Sequence, residues 1–251
     1  MKNTNLKRIL YVFAISISSI TILPAQVDVD KKAENILSKM TLEEKVGQMG
    51  QITLDVIGNG NDVFTSNVPF VINKDRLEKA INKYHIGSVL NTTNNYALPP
   101  KQWNEIIKQI QETAINSSSQ KIPVIYGIDG IHGATYSVGA TIFPQEIALA
   151  ATFNTSHAYN VGKVTAYEIR ACGIPWNFSP VLDLGANPSF SRQYEGFGED
   201  PYIASQMGKA IIKGYQGKKD SIGYKTKVAA CAKHFLGYSV PNSGKDRTPA
   251  F

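Results

Sequence analysis

The sequence predicts an α/β protein whose parallel strands alternate with helices packed outside the sheet. Three observations predict it. Short apolar runs bounded by turn residues recur along the chain, and segments of helical spacing lie between them. The carboxyl end of nearly every run also delivers polar side chains. Strand and helix alternate through four such units. A (β/α)8 barrel and a doubly wound open sheet both satisfy this pattern, and both bind ligands beyond the carboxyl ends of their strands.

Taken in order, the chain opens with Lys2, Lys7 and Arg8, then an apolar run from Ile9 to Leu23, then Pro24-Ala25-Gln26. That order predicts a secretory signal peptide over residues 1–25, with residues 26–251 forming an exported domain, periplasmic or extracellular. Ser16, Ser18, Ser19 and Thr21 interrupt the run, which is also short for a membrane span. Thr41-Leu-Glu-Glu44 is a capping box that opens a short helix. Residues 75–84 read as a helix and Ile86–Leu90 as a strand. Pro99-Pro100 start a helix in which Trp103, Ile106, Ile107, Ile110 and Ala114 share one face. Pro123–Ile128 is a buried strand. Asn154 caps a helix that runs to Ala171 and ends at Gly173. Pro175–Leu182 is the next strand, Asp200-Pro201 caps and starts a helix to about Tyr215, and Val228–Ala232 is the fourth strand. Four units against the eight of a closed barrel, with Phe251 following a loop rich in Gly, Pro and charge, predict a barrel truncated to about its first half.

Composition narrows the function. Hydrophobic residues make up 43% and charged residues 18%, the balance of a globular protein. The net charge is +6, but three of those charges lie in the first eight residues and no Lys/Arg cluster follows, which argues against nucleic acid as a partner. Cys172 and Cys231 do not make a disulfide framework and read as free thiols. His85, His132, His157 and His234 show no zinc-ligand spacing. Gly196-Phe-Gly198 begins like a dinucleotide loop, yet Glu199-Asp200-Pro201 would repel a pyrophosphate. No Gly-x-Ser-x-Gly elbow is present. No cofactor or metal is expected.

The candidate site residues are the polar groups at strand ends. Asp129 follows Pro123–Ile128, Asp183 follows Phe178–Leu182, and Lys233-His234 follow Val228–Ala232. A lysine after Val-Ala-Ala-Cys-Ala is costly to desolvate without an acceptor, which sugar hydroxyls or a fixed carboxylate would supply. Arg192 lies in Ser191-Arg-Gln-Tyr-Glu-Gly-Phe-Gly-Glu-Asp-Pro201, where ionisable groups, aromatics and glycines suit a polyhydroxylated ligand. Asp183 reads equally well as a loop-fixing carboxylate. Asp200 reads as a helix cap, with Glu199 favouring the same helix dipole.

Ile122-Pro-Val-Ile-Tyr-Gly-Ile-Asp-Gly-Ile-His-Gly133, Thr141-Ile-Phe-Pro-Gln-Glu146, Ala151-Thr-Phe-Asn154, Tyr194-Glu-Gly-Phe-Gly-Glu-Asp-Pro201 and Lys233-His-Phe235 occur in that order. Together, from about Thr41 to Phe251, they resemble the N-terminal domain of glycoside hydrolase family 3, particularly its exo-acting β-glucosidases. The resemblance implies a (β/α)8 TIM-type barrel followed by an α/β sandwich, and retaining release of glucose from the non-reducing end of β-glucosides or oligosaccharides. It implies that Asp129, Arg192, Lys233 and His234 bind the terminal sugar. It also implies that the nucleophilic aspartate and the acid/base glutamate come from sequence beyond Phe251, so no catalytic residue is assigned in this chain, which is expected to be inactive alone. Where related sequences carry Trp-Gly before the arginine, this chain has Phe190-Ser191. The family's β-N-acetylhexosaminidases carry a histidine shortly after Lys-His-Phe, and residues 236–247 contain none. A β-xylosidase and a non-catalytic sugar-binding protein remain as alternatives.

Overall fold

A computed structural model describes residues 24–218 and 221–249 of the chain. Residues 1–23 of the expected signal peptide lie outside the described residues. The chain divides into two compact units, residues 1–42 and 43–251. In the first, helix α1 (Pro24–Leu37) is followed by a turn. Among the described residues, no helix is long and apolar enough to cross a membrane.

The second unit carries a five-stranded parallel sheet: β1 (Gln51–Thr53), β2 (Ser88–Leu90), β3 (Ile125–Ile128), β4 (Trp176–Asn177) and β5 (Ala229–Ala230). Each strand pairs with its neighbour in sequence, through Gln51↔Ser88, Ser88↔Ile125, Gly127↔Trp176 and Trp176↔Ala229. Sequential order distinguishes the two predicted architectures. A doubly wound sheet reverses direction and places its first strand in the interior, whereas a barrel winds one way. This sheet winds one way.

The structure corrects the predicted count of four strands to five. β1 escaped because Gln51-Ile-Thr53 offers a single apolar residue in three and leads directly into a 3-10 turn (Leu54–Ile57). The predicted strand over 175–182 pairs over two residues only, then rejoins the ladder at an isolated bridge between Val181 and Lys233.

The helices follow the predicted signals closely. α2 (Leu42–Gln48) precedes β1, and α3 (Lys74–Glu78) follows it, capped by Asn73, which accepts from Arg76 N at 3.0 Å. α4 (Pro100–Ser117) buries Trp103, Ile106, Ile107, Ile110 and Ala114, the predicted face. A short helix α5 (Glu146–Ala150), not predicted, leads to α6 (Thr155–Ala171), and α7 (Pro201–Gln216) precedes β5. α6 and α7 touch backbone to backbone: a Cβ on Gly214 would stand 2.3 Å from Tyr159 O, and one on Gly162 2.4 Å from Ile211 O. Only glycine permits that approach. Asp200 Oδ1 accepts from Tyr202 N at 2.7 Å and Ile203 N at 3.1 Å, satisfying two amides that the helix itself leaves unpaired.

An acid stands among the most deeply buried residues of the core. Glu146, on α5, is 1% exposed; Ser179 Oγ lies 3.5 Å from its Oε1, and its buried Oε2 has no hydrogen-bond partner. Burial pushes this carboxyl well above the ordinary carboxylate range, against the opposing pull of Lys233.

Two predictions follow from these elements. Asp200→Ala is expected to cost about 1 kcal/mol in denaturant unfolding; an unchanged midpoint would show the cap to be idle. For Glu146, the unfolded chain loses its proton at the ordinary value while the native state keeps it. Stability therefore falls as pH rises between the two values. Glu146→Gln removes that titration, so its melting temperature should match the parent near about pH 4 and exceed it by a growing margin toward about pH 8. A margin that shrinks as pH rises would contradict the buried acid.

Candidate active site

The site is built where β3, β4 and β5 end. β3 stops at Ile128 because Gly130 turns the chain, and Asn177 fixes that turn. Its fully buried amide accepts from Gly130 N at 2.8 Å and donates to Gly130 O at 2.9 Å. Asp129 is thereby left at the strand's carboxyl end. Asn91, immediately after β2, clamps it from the side, accepting from Asp129 N at 3.0 Å and donating to Asp129 Oδ2 at 2.9 Å. Asn91 sits at φ 57°, a left-handed backbone that asparagine tolerates better than most residues. Tyr126 Oη donates to the Asn91 carbonyl at 2.5 Å.

Lys233 arrives from the other side. Beyond β5 the chain keeps pairing with the β4 extension, Lys233 N donating to Pro180 O at 3.0 Å and Leu182 N to Lys233 O at 2.6 Å. The ladder delivers Lys233 Nζ to Asp129 Oδ1 at 2.5 Å, with 14% of the lysine side chain and 29% of the aspartate exposed. The predicted need for an acceptor is met by a fixed carboxylate, and both groups remain open enough to meet a ligand.

His234 follows Lys233 through a cis peptide. Its Nδ1 lies 2.6 Å from Asp183 Oδ2; a carboxylate accepts, so Nδ1 carries the hydrogen and Nε2 is the nitrogen left to meet a ligand. Asp183, which read either as a site residue or as a loop-fixing carboxylate, orients His234.

Arg192 stands at the third corner. Its Nε and Nη2 donate to Glu195 Oε1 and Oε2 at 2.7 and 2.5 Å, a bidentate fork that raises the guanidinium above its ordinary value and keeps it charged. Nη1 donates to Tyr238 Oη at 2.9 Å, and the Tyr238 ring centroid lies 4.4 Å from that of His234. The four predicted sugar contacts fall into three polar groups, Asp129 with Lys233, His234 with Asp183, and Arg192 with Glu195 and Tyr238, the last two linked by the contact between the His234 and Tyr238 rings.

Sequence reasoning missed Asn91, Tyr136, Glu195 and Tyr238. Asn91 was available to the strand-end rule, since it directly follows the predicted strand Ile86–Leu90. Tyr136 lies on the loop after β3, and burial, followed by the carboxylates of Asp129 and Glu195, pushes its hydroxyl above the ordinary phenol value. It is a neutral hydrogen-bonding group beside the charged ones. Among the described residues, no group of three or more His, Cys, Asp and Glu side chains is placed to hold a metal ion.

Chemically, the arrangement sets an acceptor beside a donor, Asp129 beside Lys233, and adds a planar donor and an imidazole nearby. A sugar hydroxyl both donates and accepts, so such alternation suits a polyol.

The comparisons with known proteins agree in kind. The model of the Glycosyl hydrolase family 3 N terminal domain matches residues 41–250. The lysosomal beta glucosidase of Dictyostelium discoideum is 42% identical over 232 residues, 88% of this chain and 27% of that protein. The periplasmic beta-glucosidase of Salmonella typhimurium is 31% identical over 217 residues, 86% of this chain and 24% of that protein. The solved beta-glucosidase of Listeria innocua in complex with glucose superposes with a TM-score of 0.67 at 31% identity, over 85% of this chain and 28% of that one. Other relatives are named beta-xylosidases. The chain spans about a quarter of the length of the two curated glucosidases. Sequential parallel strands, the strand-end network and a family match over nearly the whole second unit lead to one conclusion: the chain belongs to glycoside hydrolase family 3 and carries its N-terminal, TIM-barrel domain as far as the fifth strand.

Proposed function

We propose that this chain is the sugar-holding part of a longer, exported β-glucosidase that removes glucose from the non-reducing end of β-glucosides or oligosaccharides with retention. The observation that carries the reading is the Lys233–Asp129 pair at the ends of β5 and β3, partly open and flanked by Arg192 and His234. Asp129 accepts from hydroxyls of the terminal ring, Lys233 donates to a neighbouring one, and His234 and Arg192 complete the ring's perimeter.

A retaining glycosidase also needs two carboxyl groups about 5–5.5 Å apart, one nucleophile and one acid/base. We assign neither to this chain. The carboxylates at this site are already committed: Asp129 to Lys233 and Asn91, Asp183 to His234, and Glu195 to Arg192. The bond-breaking pair belongs to further sequence, and relatives about four times as long leave room for it. The open edge of β5, with Phe235 98% and Leu236 83% exposed just beyond it, also favours further barrel strands. Export rests on the signal-like start and on a relative named as periplasmic. A β-xylosidase of the same family is the second reading, favoured by relatives of that name.

In the longer protein, Asp129→Ala is expected to lower kcat/KM on an aryl β-glucoside by about 100-fold or more, as removal of a partner from a hydrogen-bonded charge pair implies. Full activity in that variant would sink the role of Asp129. A higher kcat/KM on the aryl β-xyloside than on the glucoside would transfer the assignment to the second reading. The 251-residue chain expressed alone is expected to hydrolyse neither substrate; turnover by it would place the catalytic carboxylates within this sequence.

A further inference from the structure

Arg192 and Glu195 are three residues apart on one 3-10 turn (Gln193–Glu195, with Arg192 as its cap). Their fork fixes the guanidinium within its own loop. It does nothing to hold that loop against the ends of β3 and β5, where Asp129 and Lys233 stand. A group that binds one side of a sugar is useful only if its distance to the groups on the other side is also fixed.

Tyr238 supplies the missing tie. It lies 46 residues from Arg192 in sequence, on the loop that follows Lys233-His234, and Arg192 Nη1 donates to its hydroxyl at 2.9 Å. The same hydroxyl donates to Asp246 Oδ1. The direction of both bonds is therefore set: the hydrogen goes to the carboxylate, and a lone pair faces the guanidinium. The hydroxyl also holds the Asp246 carboxyl below its ordinary value, as an accepted hydrogen bond must. The ring is held as firmly as the hydroxyl. His234 tilts against it at 4.4 Å, Phe190 meets it edge-on at 5.6 Å, and the Arg192 guanidinium lies 5.5 Å from its centroid. Around it the two loops are closely fitted: a Cβ on Gly244 would stand 2.6 Å from Ser189 Cβ. A further hydrogen bond between these loops, Asn187 Nδ2 to Pro241 O, is long at 3.4 Å, and the short His234–Asp183 contact meets the chain nine residues before Arg192.

We infer that Tyr238 is a positioning residue for the sugar site: its hydroxyl, relayed from Asp246, locks Arg192 to the Lys233-His234 loop, leaving two of the guanidinium's five N–H groups for the ligand. This rests on the assignment of Arg192 to the sugar, made above.

The test is a double-mutant cycle in the longer protein. Tyr238→Phe keeps the ring and removes the hydroxyl. It should lower kcat/KM on an aryl β-glucoside by about tenfold or more, the scale expected for a hydrogen bond to a charged group. KM and the inhibition constant of glucose should rise together, with the melting temperature unchanged. In an Arg192→Ala background the same change should cost less than about twofold, because the group it positions is gone. A Tyr238→Phe enzyme within about twofold of the parent, or costs that simply add, would overturn the inference. Hydrogen exchange on the same preparations needs no turnover. Tyr238→Phe should speed exchange across residues 190–195, and unchanged exchange there would overturn the tie. Absence of glucosidase activity in the parent would count against the functional reading alone, since the exchange result still decides the positioning.

Discussion

The ion pair between Lys233 and Asp129 joins residues 104 positions apart, and the rest of the site is arranged around making it possible. For the two to meet, β3 and β5 must end at the same level of the sheet, with β4 between them. That requires the sequential parallel order, the Val181–Lys233 bridge that prolongs the β5 ladder, and the Asn177 amide that fixes the turn after β3. A half-buried charge pair of this kind adds little net stability, because desolvating both groups offsets much of their attraction. Under the proposed function, that cost is tolerated because the charges serve the sugar. Glu146 is a further acid in the core, within electrostatic reach of Lys233 and Glu195.

Much of this was legible in the sequence. Helix starts were readable because they are local: Asn154 and Asp200 cap through bonds to residues two or three positions on, and a pattern of such short range survives in a single chain. The buried face of α4 was readable for the same reason. The strand-end candidates came from one topological rule, that ligands bind at the carboxyl ends of parallel strands, applied to Asp129, Lys233 and His234. Arg192 came from the unusual chemistry of its loop.

What stayed hidden depends on contacts remote in sequence. β1 is too short to show a period and is a strand only because β2 pairs with it. Asn91 looks like an ordinary loop asparagine until Asp129, 38 residues later, is found against it. Tyr238 gains its meaning from Arg192 and Asp246, neither adjacent to it. Glu146 lay inside a recognised motif, yet nothing in that motif indicates that its carboxyl is buried. Positions are legible from local physics, whereas partnerships need the fold.

The proposed division of labour assigns recognition of the terminal sugar to these strand ends and bond cleavage to carboxylates elsewhere. The measurement that tests it most directly is a crystal structure of the longer protein with glucose bound. The account requires a single pyranose ring whose hydroxyls meet Asp129 and Lys233 on one side and Arg192 and His234 on the other, with Asp183 still holding His234. A ring seated away from these four side chains, or one that reaches the site while Lys233 and Asp129 remain turned from it, would contradict the account.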